Sequence, residues 1–369
     1  RYFAWLHRVL IAGAFLLFFF SPFSTASAAT CSITTATVIN QAYVTANSCT
    51  AIEINGNVST TWIGTVDLGG GTVTVKSGYT MTMGSSSQMV LGANDDFVVE
   101  SNATTTHLVE DTSGLQISAR NATIQGVLSA DGRGCGGGVA HTSGRGPSWS
   151  TNECIFRGRG AGTGGSSLDG GGGATHGGIG GSAGSGVATT TAYGNSLDPE
   201  LLGAGGGGGY GGVAGAGGGY ISLSISGTLT VNGRISANGG TVNYAGAWTG
   251  SGGGAGGSIK VAAGTLAGSG SMSANGGGGT GGVGGGGGRV RIRYGSLSGF
   301  ALSSASASAG TNTAGSSASA GSGLAIDRVI DDGEGGLTIF SGFDFPTAGD
   351  YTRGSIAILS GSRPTCSAA

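Results

Sequence analysis

A nearly repeated stretch of fourteen residues, set among glycines, limits the possible folds of this chain more than any other feature. GTLTVNGRISANGG occupies residues 227–240, and GTLAGSGSMSANGG occupies residues 264–277, which begin 37 positions later. In both copies alternate residues are apolar or very small, so one face of an extended strand would be apolar. A fainter third copy, GVLSADG, begins at Gly126. The repeat therefore predicts short strands that recur along the chain, separated by runs of glycine.

Similar short segments with a period near two fill the region from Thr50 to Asp131, and no stretch shows a helical period of useful length. Strands this short cannot bury a core alone, and they need neighbours above and below them. We therefore expect an all-β fold, a right-handed parallel β-helix (β-solenoid) with long glycine-rich loops. Two alternatives stay open. A β-sandwich would have longer strands with hairpin turns, and a propeller would have a repeat of about 40 residues with four strands each.

The glycine runs themselves permit two interpretations. The chain has 84 glycines, and 60 of them lie between Asp131 and Val290. In two runs glycine occurs at every third position: Gly203, Gly206, Gly209, Gly212, Gly215 and Gly218, then Gly276, Gly279, Gly282, Gly285 and Gly288. Three residues per turn is polyproline II geometry, so the runs are either extended chains packed side by side (polyproline or polyglycine II-like) or mobile loops. Five prolines are too few for collagen.

The start of the sequence is typical of a secretory signal peptide. Arg1 and Arg8 precede an apolar run over 9–20, and Ala26-Ser27-Ala28 fits a cleavage site. About a dozen apolar residues are too few to span a bilayer, which takes roughly 20. We expect a secreted or cell-surface chain, with no membrane insertion of the mature part. The predicted divisions are a signal peptide truncated at its N-terminus (1–29), N-terminal coils (30–131), glycine-rich repeats (132–296), a Ser/Ala/Gly-rich linker (297–324) and the start of a further, truncated β module (325–369).

Five cysteines in an exported chain predict disulfides. The economical pairs are Cys31 with Cys49 and Cys135 with Cys154, each closing a loop of about 20 residues. Cys366 is left over, either as a free thiol or, as we prefer, with a partner beyond a truncated C-terminus. No CxxC or HxxxH spacing occurs, so we expect no metal site.

The charge pattern excludes several classes of function. The formal net charge is −2 and only 9% of residues are charged, which gives no electrostatic reason to bind nucleic acid. Arg289, Arg291 and Arg293 share one face of a strand, where we expect a solvated edge. Neither a P-loop nor a dinucleotide-binding motif is present in a strand-to-helix context, so no cofactor is predicted.

The segments GGGAGGSIKV, GTLAGSGSMSANGG and GGGGGRVRIRY resemble the glycine-rich parts of large secreted bacterial surface proteins, which are adhesin-like or autotransporter-passenger-like β-solenoids of mostly unknown function. The resemblance covers residues 126–294. It implies structural or adhesive work at the cell surface and continuation into a larger polypeptide. The alternative is a carbohydrate-active β-helix enzyme, a polysaccharide lyase or glycoside hydrolase.

Catalysis by such an enzyme needs clustered carboxylates. Asp95 or Asp96 could lie beside Glu110 or Asp111, but these pairs sit in turns, where acidic side chains bond their own backbone. We therefore expect a non-enzymatic protein with no catalytic residues. The segments Thr72-Val73-Thr74 and Thr80-Met81-Thr82 resemble the threonine ladders of ice-binding solenoids. They are only eight residues apart, however, and this spacing does not suit a repeat of stacked coils.

Binding to extracellular glycans or to host or substrate surfaces is the remaining hypothesis. Aromatic rings among glycines can lie against a flat partner, although the same rings could instead cap the core. The candidate ligand-binding residues are Tyr193, Tyr210, Tyr220, Tyr244, Trp248 and His176.

Overall fold

A computed structural model describes residues 29–166, 170–183, 185–210, 212–242, 250–279 and 283–311, followed by the backbone of short strands between positions 328 and 366. Residues 1–28 of the predicted signal segment and residues 312–324 of the predicted linker lie outside the described residues. Within them the chain is nearly all β, with large parallel sheets, a single α-helix and a single 3-10 turn.

The first part of the chain alternates between short strands and turns. Its elements are β1 (Ala29–Ile33), β2 (Thr37–Ile39), α1 (Gln41–Asn47), β3 (Cys49–Ile54), β4 (Val58–Trp62), β5 (Thr65–Val66), β6 (Thr72–Val75), β7 (Thr80–Met83), β8 (Gln88–Leu91), β9 (Asp96–Val99), β10 (Thr104–His107), β11 (Leu115–Ala119), β12 (Asn121–Ile124) and β13 (Val127–Ser129).

The second part contains longer strands between glycine-rich segments. Its elements are β14 (Arg145–Pro147), β15 (Cys154–Phe156), β16 (Tyr220–Val231), β17 (Arg234–Ser236), β18 (Ser258–Ala267), β19 (Ser271–Ser273), β20 (Arg289–Ser298), the 3-10 turn (Leu302–Ser304), β21 (Ala305–Ser306), β22 (Arg328–Asp331), β23 (Gly336–Ile339), β24 (Asp344–Phe345), β25 (Ser355–Ile358) and β26 (Thr365–Cys366).

Two large sheets hold most of these strands. One runs β1-β3-β6-β9-β12-β16-β18-β20 before continuing to β22, β23 and β25, and the other runs β2-β4-β7-β10-β13-β17-β19-β21. Pairing is parallel in both sheets except between β22 and β23. Phe97 of β9 lies between Val73, 24 residues earlier, and Ala122, 25 residues later. All three side chains are buried. Strands that are far apart in sequence therefore pack their apolar faces together in one core. We call β1–β13 and β16–β21, without β14 and β15, the parallel β framework.

The long strand β16 continues two shorter ones. Its first half pairs with β11 and its second half with β12, and β11 also pairs with β8. The bulge between Ile225 and Thr228 in the β16–β18 pairing marks the join. The single strand β16 therefore lies alongside both β11 and β12, which are separate strands in the first part of the chain.

The two copies of the fourteen-residue repeat, at 227–240 and 264–277, are stacked in register. Leu229 pairs with Leu266, and Ile235 with Met272, and all four are buried. A ladder of side-chain oxygens accompanies them. Asp131 Oδ1 accepts from Asn238 N at 2.7 Å, Asn238 Oδ1 accepts from Asn275 N at 2.8 Å, and Asn275 Oδ1 accepts from Ser308 N at 2.7 Å. The faint copy and the two clear copies therefore end in equivalent turns.

Helix α1 was not expected from the sequence. Asn40 caps it by accepting a hydrogen bond from Tyr43 N at 2.8 Å, and Ser48 ends it in the left-handed conformation at φ 52°. Val44 is its only buried residue, so the helix is too short and too exposed to produce an apolar period.

Both predicted disulfides are present. Cys31 pairs with Cys49, and Cys135 pairs with Cys154, with sequence separations of 18 and 19 residues. The first links β1 to β3. The second anchors the start of the longest glycine-rich segment to strand β15. Cys366 lies in β26, whose side chains are outside the described residues.

The glycine-rich segments all leave the framework at one corner, between a strand of the second sheet and the next long strand. They are residues 130–219 after β13, 237–257 after β17 and 274–288 after β19. Hydrogen bonds between them recur every third residue. Examples are Gly215 N to Gly252 O and Gly218 N to Ala255 O, at 3.0 and 2.8 Å. This is the spacing of polyproline II chains, so the structure favours the ordered alternative for these glycines. We call the three segments the glycine lattice.

Close approach explains why the lattice is made of glycine. A Cβ atom on Gly137, Gly207 or Gly254 would lie closer than 3.0 Å to a carbonyl oxygen of a neighbouring segment of the same chain. Real Cβ atoms do not come this near to backbone. Only a residue without a side chain lets the backbones pack at this distance.

Candidate ligand-binding cleft

A disulfide-bonded hairpin carries the most exposed large ring of the described residues. Strands β14 and β15 pair in antiparallel fashion, and the turn between them holds Trp149, whose side chain is 80% exposed. Besides the disulfide, Arg145 on β14 forms an ion pair with Glu110 of the framework. The hairpin is therefore fixed at its base and presents its ring at the tip.

Trp149 lines a cleft of about 490 Å³. Its other walls include Arg157 and Arg159, which follow strand β15, and the segment 189–193, which carries three threonines and Tyr193. The volume falls in the range of small-molecule sites, about 300–1,000 Å³. The cleft thus combines an exposed indole, two guanidinium groups and several hydroxyls.

The two arginines are positioned without carboxylate partners. Arg159 donates to the carbonyl oxygens of Pro147 and Ser148 and to Asn152 Oδ1, which ties it to the turn that holds Trp149. Its guanidinium carbon lies 5.6 Å from the centre of the Trp149 ring, a cation–π distance. Arg157 Nε donates to Ser143 Oγ at 3.1 Å. Among the described residues, neither arginine forms an ion pair.

Tyr193 and His176 form a rigid wall behind the cleft. The Tyr193 hydroxyl donates to Leu202 O at 2.7 Å, and its ring centre lies 4.6 Å from that of His176. His176 Nδ1 lies 2.8 Å from Gly256 O. Burial, with the nearby charge of Arg289, lowers the pKa of His176 to about 3, and burial raises the pKa of Tyr193. Both side chains are buried, so they support the cleft and offer little surface to a partner.

The other sequence candidates are dispersed. Tyr210 is 57% exposed and packs edge-on against His141 at 5.4 Å, but it does not line the cleft. Tyr220 is buried beside the second disulfide and Leu202. Tyr244 and Trp248 lie outside the described residues. Of the predicted residues that the structure describes, only Tyr193 lines the cleft.

Sequence reasoning missed Trp149, Arg157 and Arg159. One signal was available, since a tryptophan stands between serines inside a disulfide loop and two arginines directly follow the loop. A large ring in so polar a stretch has no apolar neighbours in sequence to pack against.

Of the carboxylates considered for catalysis, Asp95 binds backbone N–H groups of a turn and Asp96 forms an ion pair. Asp95 accepts from the backbone N–H groups of Leu68, Gly70 and Gly71 at 2.7–3.0 Å. Asp96 pairs with Arg120, which lowers the pKa of Asp96. The described part of the chain contains no group of three or more His, Cys, Asp or Glu side chains that could hold a metal ion.

The expectation of a solvated arginine edge is wrong for Arg289, which is 3% exposed. Its guanidinium donates to Tyr193 O and Ser196 Oγ, while Arg291 donates to Leu197 O. The segment from Tyr193 to Leu201 lies across the outer face of β18 and β20, where Lys260 also pairs with Asp198 and Glu200. A covering segment more than 90 residues earlier in the chain therefore decides the environment of Arg289.

The threonines of strand β7 do recur in register, contrary to the expectation from their spacing. Thr80 pairs with Thr104, and Thr82 with Thr106. Thr106 is buried, however, and its hydroxyl has no hydrogen-bond partner. This array does not form a regular exposed surface.

A second and larger depression of about 550 Å³ crosses five strands of the framework, β8, β11, β16, β18 and β20. Ala119, Ile225 and Ala263 line it, with Arg120 and Arg293 among the polar lining residues. Arg120 is engaged by Asp96. This depression lacks an exposed ring comparable to Trp149.

Comparison of the chain with models of protein families, with curated proteins and with solved structures gives no match. In the part of the chain that the structure describes, no helix reaches the length and apolarity that crossing a bilayer requires. The function of the chain is therefore inferred from the geometry of the cleft and of the hairpin that carries Trp149.

Proposed function

We propose that this chain is a secreted or cell-surface adhesive scaffold without enzymatic activity. Its framework is a right-handed parallel β-helix, and its glycine lattice carries a saccharide-binding cleft at Trp149. Parallel strands that repeat about 24 residues apart, with alternate side chains buried, support the solenoid. Two disulfides are compatible with an oxidising compartment outside the cytoplasm.

The observation that carries the binding proposal is the exposure of Trp149 on an anchored hairpin. Leaving a large ring in water while fixing its position has no benefit for folding, because the ring buries little apolar surface. Sugar rings have apolar faces that stack on aromatic side chains, and their hydroxyls fit the threonines at positions 189–191. A preformed cleft also lowers the ordering cost of binding.

A glycan array tests this proposal with the full chain and three variants. Trp149→Ala should weaken binding at least about tenfold, since 1.4 kcal/mol is a factor of ten and stacking on a ring contributes on this scale. Trp149→Phe should restore part of the affinity. Tyr79→Ala, which removes an exposed ring of the framework, should leave binding unchanged.

Two results would contradict the proposal. If no saccharide binds the full chain, or if Trp149→Ala binds as well as the unchanged chain, the cleft is not a saccharide site. Release of shortened or unsaturated sugars during incubation would favour the enzyme alternative over the non-enzymatic scaffold.

A further inference from the structure

We infer that the cleft at Trp149 selects acidic saccharides, with the anionic group bound by Arg157 and Arg159 while the sugar ring lies on the indole. This inference rests on the proposed saccharide-binding function and specifies its ligand class. The shared chemistry is an anionic oxygen group on a sugar, either a carboxylate or a sulfate.

The first argument is the set of unused donors. An arginine side chain has five N–H donors in a planar fork that matches a carboxylate or a sulfate. Arg157 uses Nε for Ser143 and makes no hydrogen bond through its two terminal nitrogens to any described residue. Arg159 uses Nε and one terminal nitrogen for the turn, which leaves the other terminal nitrogen available. Arg157 therefore keeps both terminal nitrogens and Arg159 keeps one, on two residues that line the same cleft as Trp149.

The second argument is charge. Glu153 is the acidic residue of the hairpin turn, and its carboxylate accepts from Thr151 Oγ1 at 3.4 Å without pairing with either arginine. Behind the cleft, the charge of Arg159 adds to burial and to Arg289 in lowering the pKa of His176. The cleft is therefore positive, and a ligand with an anionic group complements it.

The third argument concerns desolvation. A neutral sugar stacked on Trp149 would remove water from the guanidinium groups without supplying a charge partner, which is unfavourable. An acidic sugar replaces that water with charge-assisted hydrogen bonds, which are about twice as strong as neutral ones.

The test is a titration of the full chain with three matched oligosaccharides, one neutral, one containing a uronic acid and one sulfated. We expect both acidic sugars, or one of them, to bind at least about tenfold more tightly than the neutral one at low salt, and the difference to shrink as salt is raised. Preference for the uronic acid over the sulfate, or the reverse, identifies the anionic group.

Variants separate the charge from the ring and from the fold. Arg157→Gln should remove most of the preference for acidic sugars and should not weaken binding of the neutral sugar, which loses no charge partner. Arg159→Lys keeps a positive charge but loses the fork and the tie to the turn, so it should lower acidic binding less than the double variant R157Q/R159Q. Arg234→Gln, at an exposed arginine of the framework, is the matched control and should change nothing. Circular dichroism checks that each variant is folded.

The outcomes distinguish the two proposals. If acidic and neutral sugars bind equally and Trp149→Ala abolishes both, the inference about acidity is wrong and the proposed function stands. Unchanged acidic preference in folded Arg157→Gln also overturns the inference. If none of the three sugars nor any other saccharide binds, the proposed function itself fails.

Discussion

The parallel β framework and the glycine lattice are both built from extended chains lying side by side, but different material fills the space between the chains. In the framework, alternate side chains such as Phe97, Met81 and Ile124 are fully buried in one continuous core. In the lattice, backbone packs directly on backbone, and the apolar clusters are small, such as the one formed by Ala174, Tyr193, Ala204 and Ala255.

This difference changes what stabilises each region. Burying a methylene group contributes about 0.8 kcal/mol, and a framework strand buries many of them. A backbone hydrogen bond contributes a net ~0.5–1.5 kcal/mol, while each glycine costs roughly 0.5–1 kcal/mol in extra chain entropy relative to alanine. The lattice consequently depends on its anchors, which are the second disulfide, His176, Tyr193 and the framework strands at its two ends.

The largest expected effect is in the framework core. Phe97→Ala should lower the free energy of unfolding by about 3–5 kcal/mol, because it leaves a cavity among fully buried neighbours. Urea denaturation followed by circular dichroism measures the change. Ile63→Ala, at a side chain that is 55% exposed, is the control and should cost less than about 0.5 kcal/mol. Similar losses in both variants would contradict a core that stabilises the framework.

The next effect separates the two regions. Replacing Cys135 and Cys154 together by alanine should destabilise the lattice by roughly 3 kcal/mol, the chain-entropy value for a loop of about 20 residues. Hydrogen exchange should speed up across residues 134–219 and stay slow in β6 to β12. The matched double variant at Cys31 and Cys49 should affect β1 and β3 instead. Uniform acceleration in both regions would mean that they unfold as one unit.

A smaller effect tests the close approach of backbones within the lattice. Gly137→Ala places a methyl group closer than 3.0 Å to the Ala214 carbonyl, and such overpacking costs about 1–3 kcal/mol. Its neighbour Gly136 is the control, because there the nearest atom is Glu110 Oε1 at 3.2 Å, at the end of a flexible side chain. Thermal melts of the two variants should differ by several degrees. Equal melting temperatures would indicate that the lattice chains separate easily.

The smallest effect concerns acid, and each region contributes one histidine. Burial lowers the pKa of His107 in the framework to about 4 and that of His176 in the lattice to about 3. In both cases the unfolded chain binds protons more readily, so stability is complete above pH 6.5 and falls as the pH drops below it. At pH 5.5 each histidine should cost about 1.4 kcal/mol, because only its unfolded form is charged there.

His107→Met should flatten the dependence between pH 6.5 and 4, measured as urea midpoints at several pH values. His107 suits this test because neither ring nitrogen has a hydrogen-bond partner of good geometry in the structure. An unchanged slope in the variant would show that His107 has the same pKa in the folded and the unfolded chain, as an exposed histidine would. Loss of ion pairs such as Lys76–Glu100 appears only at lower pH, because the pKa of Glu100 is lowered from its ordinary range near 4.5.

Sequence patterns predicted the short strands of the framework because each pattern depends on only a few neighbouring residues. Alternation in segments such as Thr72–Val75 reports which side chains face the core, and nearby cysteines pair because their loops are short. The two copies of the fourteen-residue repeat, each predicted as a strand with one apolar face, contribute Leu229 and Leu266, which pair in β16 and β18. Helix α1 escaped this reasoning, since seven residues with a single buried side chain leave no periodic signal.

The candidate site could not be predicted because its parts come from separate places in the sequence. Trp149 and the threonines at 189–191 lie about 40 residues apart, and the lattice that joins them has no side-chain pattern to read. The same reason hides the burial of Arg289. In the glycine lattice, the many glycines indicate that backbone segments lie close together. The sequence does not indicate which segments are neighbours.

The close packing of backbone at lattice glycines such as Gly137, Gly207 and Gly254 has a consequence for how such a protein can diversify. Substitutions inside the lattice disturb several neighbouring segments at once, whereas the turn that carries Trp149 lies at the tip of its hairpin and is held by the second disulfide, the Arg145–Glu110 ion pair and the hydrogen bonds from Arg159. New binding preferences can therefore arise by exchanging a few tip residues on an invariant base. A library randomised only in that turn would retain the scaffold while sampling different ligands.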